Sequence, residues 1–316
     1  MRVFVTGASG WVGSAVVPEL IAAGHQVVGL ARSRASAAAL IGVGAAACLG
    51  TLDDLEVLRA AAAGADGVIH LAYRHDIAFS GDPDLAAGSD LRAIRAMGAE
   101  LEESGRPLVI ATGLAGLPAG RVATELDVAT PDGPGGQRAA AAEVTLAFAA
   151  RGVRSAVVRL PPTVHGAGDH GFIAMTVAIA REKGLSGYVG DGSNRWPAVH
   201  RLDAARLFRL ALEEAPAGSV LHGIAEQAVP ICDVAEVIGA HLNLPVVSVA
   251  GQDAADHFGW LTELLGGDFP ASSVLTRNLM GWQPTQPGLI QDLEQGHYFP
   301  DRHTPQPQPH LTKRDR

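Results

Sequence analysis

A short apolar strand followed directly by glycines three apart constrains this chain more than any other feature. Residues 2–6 alternate as a buried strand, and Thr6-Gly7-Ala8-Ser9-Gly10-Trp11-Val12-Gly13 follows without a break. From Val12 the apolar positions recur at helical spacing through Ala15, Val16, Leu20 and Ile21. A strand, a glycine turn and a helix N-terminus bring backbone N–H groups and a positive dipole end to one point. A pyrophosphate can sit there.

The second strand bears on which dinucleotide is expected. Its apolar core is Gln26-Val27-Val28-Gly29-Leu30-Ala31, and Arg32-Ser33-Arg34 comes next. A site for NAD places an Asp or Glu here to accept from the ribose hydroxyls, yet no acid occurs between Glu19 and Asp53. Two guanidinium forks and a serine match the 2′-phosphate of NADP instead. The alternative is a pair of solvated arginines opening a helix. The expected cofactor is NADP(H), with Arg32, Ser33 and Arg34 on its phosphate.

Composition narrows the partners. Hydrophobic residues at 47% and charged residues at 18% describe a globular chain with a full core. A net charge of −9 argues against nucleic acid or an anionic membrane surface as partner. The only cysteines, Cys48 and Cys232, have no ligand-like spacing, so a reduced compartment and no disulfide framework are expected. Strand one begins at Arg2, leaving no room for a signal peptide, and the apolar run 37–50 is too short for a bilayer. A cytoplasmic protein acting on a small molecule is the expectation.

Further strands are expected at 45–48, 67–71, 107–112 and 154–160, and helices near 53–63, 84–104 and 137–151. This alternation predicts an α/β fold, a Rossmann-type doubly wound parallel sheet. After Pro161-Pro162 the rhythm breaks into shorter elements. The expected division is a dinucleotide-binding domain at 1–162, a smaller substrate-binding region with a lid at 163–299, and a flexible tail at 300–316.

Three segments in order carry a resemblance: the glycine turn, His70-Leu71-Ala72, and Arg159-Leu160-Pro161-Pro162-Thr163-Val164-His165-Gly166. Val199-His200-Arg201-Leu202-Asp203-Ala204-Ala205 adds a fourth. Together they resemble the extended short-chain dehydrogenase/reductases over residues 1–215. The resemblance implies that Gly7, Ser9, Gly10, Trp11 and Val12 cradle the pyrophosphate. It also implies that Leu71 and Ala72 line the path from adenosine ribose to nicotinamide, and that Pro161 and Pro162 pack near the nicotinamide.

The catalytic signature of that family is missing. Its Tyr-x-x-x-Lys supplies a proton donor and the lysine that lowers the donor's pKa. Here Gly135 and Ala139 fall at those two positions. The three tyrosines (Tyr73, Tyr188 and Tyr298) are followed four residues later by Ile77, Gly192 and Arg302, and the only lysines are Lys183 and Lys313. Thr112 stands at or one place before the family's Ser/Thr partner. Losing a positioned general acid typically costs about 10²–10⁴-fold. A ketone flanked by an acidic hydroxyl can supply that proton itself, whereas a sugar alcohol cannot. The chain is therefore similar to the Tyr-lacking ketoreductases of aromatic polyketide pathways. That implies NADPH-dependent reduction of a polycyclic, angucyclinone-like ketone. The competing reading is a non-catalytic NADP-binding sensor, level with a nucleotide-sugar epimerase or dehydratase.

Several residues are candidates for the substrate site. Tyr73 and His75 follow strand four at the carboxyl edge, where α/β sheets bind ligands, and Thr112 and Gly113 end strand five. Residues 113–136 read as a flap. His165, Phe172, Met175 and Trp196 mix aromatic and apolar side chains like a lid, although such a stripe is more often core. His165 is also a candidate backup proton donor. No metal is expected, since none of the twelve histidines pairs at ligand spacing. A monomer or a homodimer is compatible with the sequence.

Overall fold

The computed structural model describes residues 1–78, 80–130, 136–250 and 252–300. The chain opens with alternating strands and helices: β1 (Arg2–Thr6), α1 (Gly13–Ala22), β2 (Gln26–Ala31), α2 (Arg34–Gly42), β3 (Ala46–Leu49), α3 (Leu55–Ala63) and β4 (Gly67–His70). There follow α4 (His75–Ala78), α5 (Pro83–Ala99), β5 (Pro107–Gly113), α6 (Gly136–Ala147) and β6 (Arg154–Leu160). Val3, Phe4 and Val5 of β1 are all fully buried, as expected of a strand with helices on both faces.

The second half is more broken. It contains β7 (Thr163–His165), α7 (Phe172–Lys183), β8 (Ser186–Val189), β9 (Arg195–His200), α8 (Arg201–Glu214), β10 (Ser219–His222) and β11 (Glu226–Pro230). It ends with α9 (Ile231–Leu242), β12 (Val246–Val249), α10 (Gln252–Phe258), α11 (Thr262–Gly266), α12 (Val274–Met280) and α13 (Leu289–Glu294).

Seven strands form one sheet in the order β10-β6-β5-β4-β1-β2-β3, with every pairing parallel. The order reverses beside β1, which puts a crevice at the carboxyl ends of β1 and β4. The expected Rossmann-type doubly wound sheet is thus present. It does not stop at residue 162, however. Helix α8 packs on α1, and β10 pairs with β6 through Val220 and Val157, so residues 201–222 return to the first layer. Asp203 pins this return from below. Its buried carboxylate accepts the N–H groups of Thr285 and Gln286 at 2.9 and 3.0 Å, and its carbonyl accepts the Trp282 indole N–H.

Most of the remaining elements form a second lobe built on the sheet β11-β9-β7 and the pair β12-β8, while α12 packs on β10 and α8. Its core holds Trp196, Ile231, Phe258, Leu261 and Leu265, with Phe172 and Met175 packed against them. Among the described residues no helix is long and apolar enough to cross a membrane.

Candidate active site

The glycine turn is shaped by contacts that exclude side chains. Gly7 has φ +67°, and a Cβ there would lie 2.7 Å from the Ala72 amide nitrogen. A Cβ on Gly13 would lie 2.1 Å from the Gly7 carbonyl oxygen and 2.8 Å from the Ala8 backbone. The chain therefore folds back tightly, and α1 starts with no side chain capping it. Helices whose first amides lack a side-chain cap offer them to a ligand. Ser9 and Gly10 are exposed at the turn, while Trp11 and Val12 are half-buried. The Trp11 indole donates to the Val164 carbonyl at 2.7 Å, and the Arg201 guanidinium lies 4.4 Å over its ring. Trp11 thus ties the turn to the second lobe.

The neighbouring strand end is held by a buried relay. The Ala72 amide donates to Thr6 Oγ1, Thr6 Oγ1 lies 2.7 Å from His70 Nδ1, and His70 Nε2 lies 2.9 Å from the Asp90 carboxylate. A carboxylate only accepts, so Nε2 carries the proton and Nδ1 receives the threonine hydroxyl. The relay fixes Leu71 and Ala72, both half-buried, against the glycine turn.

Arg32, Ser33 and Arg34 are all exposed where β2 passes into α2. The Ser33 hydroxyl caps α2 by accepting the Ser36 amide at 3.1 Å, in a reciprocal capping box. The two arginines flank a positive helix end, a combination that favours a phosphate. A dinucleotide with a 2′-phosphate fits these residues: the glycine cradle leaves room for backbone approach, and the cations stand one strand away.

At the carboxyl edge, the ends of β4 and β5 and the start of α6 carry four candidate side chains. Thr112 is buried at the end of β5, and its hydroxyl bonds to nothing among the described residues. Arg138, in the first turn of α6, donates to the Ala111 carbonyl at 2.7 Å and lies 4.1 Å over the Tyr73 ring. The His75 ring meets Tyr73 edge-on at 4.9 Å. Burial pushes the Tyr73 phenol above its ordinary pKa, and the Arg138 cation pulls the other way. Beside them Gly113 faces open space, for its Cβ would find nothing nearer than 3.9 Å. Pro161 is buried and Pro162 half-buried at the end of β6. Arg138 was not among the residues the sequence singled out. The available signal was a cation one place before the missing lysine.

Four residues expected in the substrate lid need correction. Trp196 is fully buried, donates to the Gly267 carbonyl, and meets Phe172 edge-on inside the second-lobe core. Phe172 and Met175 are half-buried in the same core, so the aromatic stripe packs the lobe. His165 is also fully buried, with Nδ1 2.9 Å from the Asp292 carboxylate and its ring 5.3 Å from His200. A sealed imidazole cannot donate to a ligand in the cleft.

The segment 113–136 also departs from a loose flap, although residues 131–135 lie outside the described residues. Ala123 pairs with Ala271, and Glu125 is buried and accepts both the amide and the hydroxyl of Thr276 at 2.7 Å. Buried Arg159 donates to the Asp127 carbonyl at 2.8 Å. These bonds fasten Ala123 and Glu125 to the C-terminal elements and Asp127 to β6. Of the expected tail, only residue 300 is described. His297 belongs to the folded part, 3.6 Å from Asp292. No cluster of three or more metal-ligating side chains occurs among the described residues.

Comparison with known proteins agrees with this architecture. The model of the NAD dependent epimerase/dehydratase family matches residues 3–222, and the chain belongs to that family. "Uncharacterized protein C2A9.02" of Schizosaccharomyces pombe is 46% identical over 301 residues, covering 95% of this chain and all of the relative. A more distant relative is the 4-hydroxy-2-methyl-3-oxo-4-farnesyl-3,4-dihydroquinoline-1-oxide ketoreductase of Stigmatella aurantiaca. It is 29% identical, covering 70% of this chain and 67% of the relative. Among solved structures, the UDP-glucose 4-epimerase of Thermotoga maritima with UDP-glucose superposes with a TM-score of 0.76. That match has 17% identity and covers 95% and 98% of the two chains. MoeE5 in complex with UDP-glucose and NAD gives 0.74 at 23% identity over 93% and 96%.

Proposed function

We propose that this chain is an NADPH-dependent ketoreductase acting on a flat ring system whose ketone stands beside a hydroxyl. The observation that carries the reading is the cradle itself: glycines packed too tightly for side chains, and two exposed arginines where an NAD site needs an acid. NADPH supplies a hydride when bound. Gly7 to Val12 would hold its pyrophosphate, Arg32 and Arg34 its 2′-phosphate, and Leu71, Ala72, Pro161 and Pro162 would line its ring.

Ketone reduction is favoured over epimerisation because oxidising an unactivated sugar alcohol needs a base, which the lysine of Tyr-x-x-x-Lys makes of its tyrosine, and burial pushes the Tyr73 phenol the other way. The Stigmatella relative supports the same choice. Its name puts an oxo group at ring position 3 next to a hydroxyl at position 4. An adjacent hydroxyl polarises the carbonyl by an internal hydrogen bond. None of the relatives named above carries an angucyclinone in its name, and the substrate class is set at hydroxylated ring ketones.

Thr112 would orient the carbonyl. Thr112→Ala is expected to lower kcat/KM at most about tenfold, the loss of one neutral hydrogen bond. The check is steady-state NADPH oxidation against a panel of hydroxylated ring ketones and simple ketones. Turnover of a ring ketone supports the reading, and faster turnover of the hydroxylated members supports activation by the adjacent hydroxyl. Complete inactivation of Thr112→Ala would make threonine the essential donor.

A further inference from the structure

We propose that Tyr73 donates the proton to the ketone oxygen, and that Arg138 is the cation that steadies its phenolate. This rests on the ketoreductase reading above and puts an enzyme group in place of the substrate's own hydroxyl as the source of the proton. The family's usual solution places donor and cation four residues apart on one helix. Here the two halves come from different elements 65 residues apart, the β4–α4 connection and the first turn of α6.

Four observations converge on the pair. The Arg138 guanidinium stands 4.1 Å over the Tyr73 ring, within the range where a cation and an aromatic face attract. Its position is fixed from below by the Ala111 carbonyl at 2.7 Å, one residue before Thr112. Arg138 Nε is buried and bonds to nothing among the described residues. Tyr73 directly follows Ala72 and is half-buried, and no hydrogen bond holds its hydroxyl among the described residues. A phenol so placed is free to meet a ligand. Tyr188 and Tyr298, the other tyrosines, belong to the second lobe. Tyr298 is nearly buried with its hydroxyl donating to Asp169 at 2.9 Å.

The step balances with what the reading supplies. The carbonyl carbon gains a hydride with both its electrons from the dihydronicotinamide ring, and the π pair moves to oxygen. That oxygen takes the proton from Tyr73 Oη as the O–H bond breaks. The tyrosinate left facing Arg138 regains a proton from water. Ketone, reduced cofactor and one proton become alcohol and oxidised cofactor.

The test has one arm without substrate. An ultraviolet difference titration of the full chain against Tyr73→Phe isolates the Tyr73 ionisation from those of the other two tyrosines. In Arg138→Ala that ionisation should move up by about one pH unit, and Arg138→Lys should restore part of the shift. The second arm is kinetic. Tyr73→Phe, which keeps the ring and its packing, should lower kcat about a hundredfold or more with KM little changed. An unmoved Tyr73 ionisation in Arg138→Ala would overturn the pairing. Full turnover by Tyr73→Phe on a reduced ketone would overturn the donor role and return the proton to the substrate's own hydroxyl. Failure to reduce any ketone would overturn the ketoreductase reading, and the donor role with it. The titration would still decide whether the pair is coupled.

Discussion

Gly13→Ala should abolish measurable NADPH binding and lower stability by about 2 kcal/mol or more. The new Cβ would stand 2.1 Å from the Gly7 carbonyl oxygen and 2.8 Å from the Ala8 backbone. Neither neighbour is a flexible side chain. Gly7 itself cannot retreat, because its own α-carbon side is closed by the Leu71 and Ala72 backbone, which the Thr6–His70–Asp90 relay holds in place. The strain therefore opens the turn where the pyrophosphate would lie. Cofactor titration by fluorescence, with thermal melting in parallel, separates the two effects. Gly42→Ala is the control, since its Cβ meets nothing within 4 Å. Wild-type affinity and melting in Gly13→Ala would show that the turn does not form the cradle.

Arg32→Asp should remove the preference for NADPH over NADH. A guanidinium–phosphate contact contributes about 1.5–3 kcal/mol, which is roughly ten- to hundredfold in affinity. Substituting a carboxylate adds repulsion toward the 2′-phosphate and offers an acceptor to the free ribose hydroxyl. Loss for NADPH and gain for NADH thus act in the same direction. Arg34, at the first position of α2, would retain a fraction of the phosphate affinity. Wild-type protein should bind NADPH at least about tenfold more tightly than NADH. Equal affinities in the wild type, or an unchanged ratio in Arg32→Asp, would move the phosphate contact elsewhere.

The first half of the fold was legible because its signals are local. Alternating apolar runs bounded by glycine placed the strands at 67–71, 107–112 and 154–160 within a residue or so of Gly67–His70, Pro107–Gly113 and Arg154–Leu160. The helix expected at 84–104 stops at Ala99, where the chain turns to feed β5. What stayed hidden depends on contacts distant in sequence. Nothing local in Ser219–His222 says that it joins β6 as the seventh strand. Phe172, Met175 and Trp196 present the same apolar pattern whether they face a ligand or a core, and here they face a core. His165 looks like a free imidazole until Asp292, 127 residues later, closes on it.

The candidate site divides in the same way. The glycine turn and Arg32 to Arg34 are contiguous motifs, readable because one strand end presents them together. Tyr73 and Arg138 share no motif, and searching the sequence for a fixed spacing between donor and cation could not find them. Only the parallel pairing of β4 with β5, and the start of α6 beside it, brings the two side chains within 4.1 Å.

The most direct measurement is anaerobic incubation of the chain with 4-deuterated NADPH and a panel of hydroxylated polycyclic and bicyclic ring ketones, read by product mass. The expected result is a single deuterium on the carbinol carbon of at least one product, which also reports the cofactor face used. Tight NADPH binding with no deuterium in any product would contradict ketone reduction and leave a dinucleotide-binding sensor as the function of this fold.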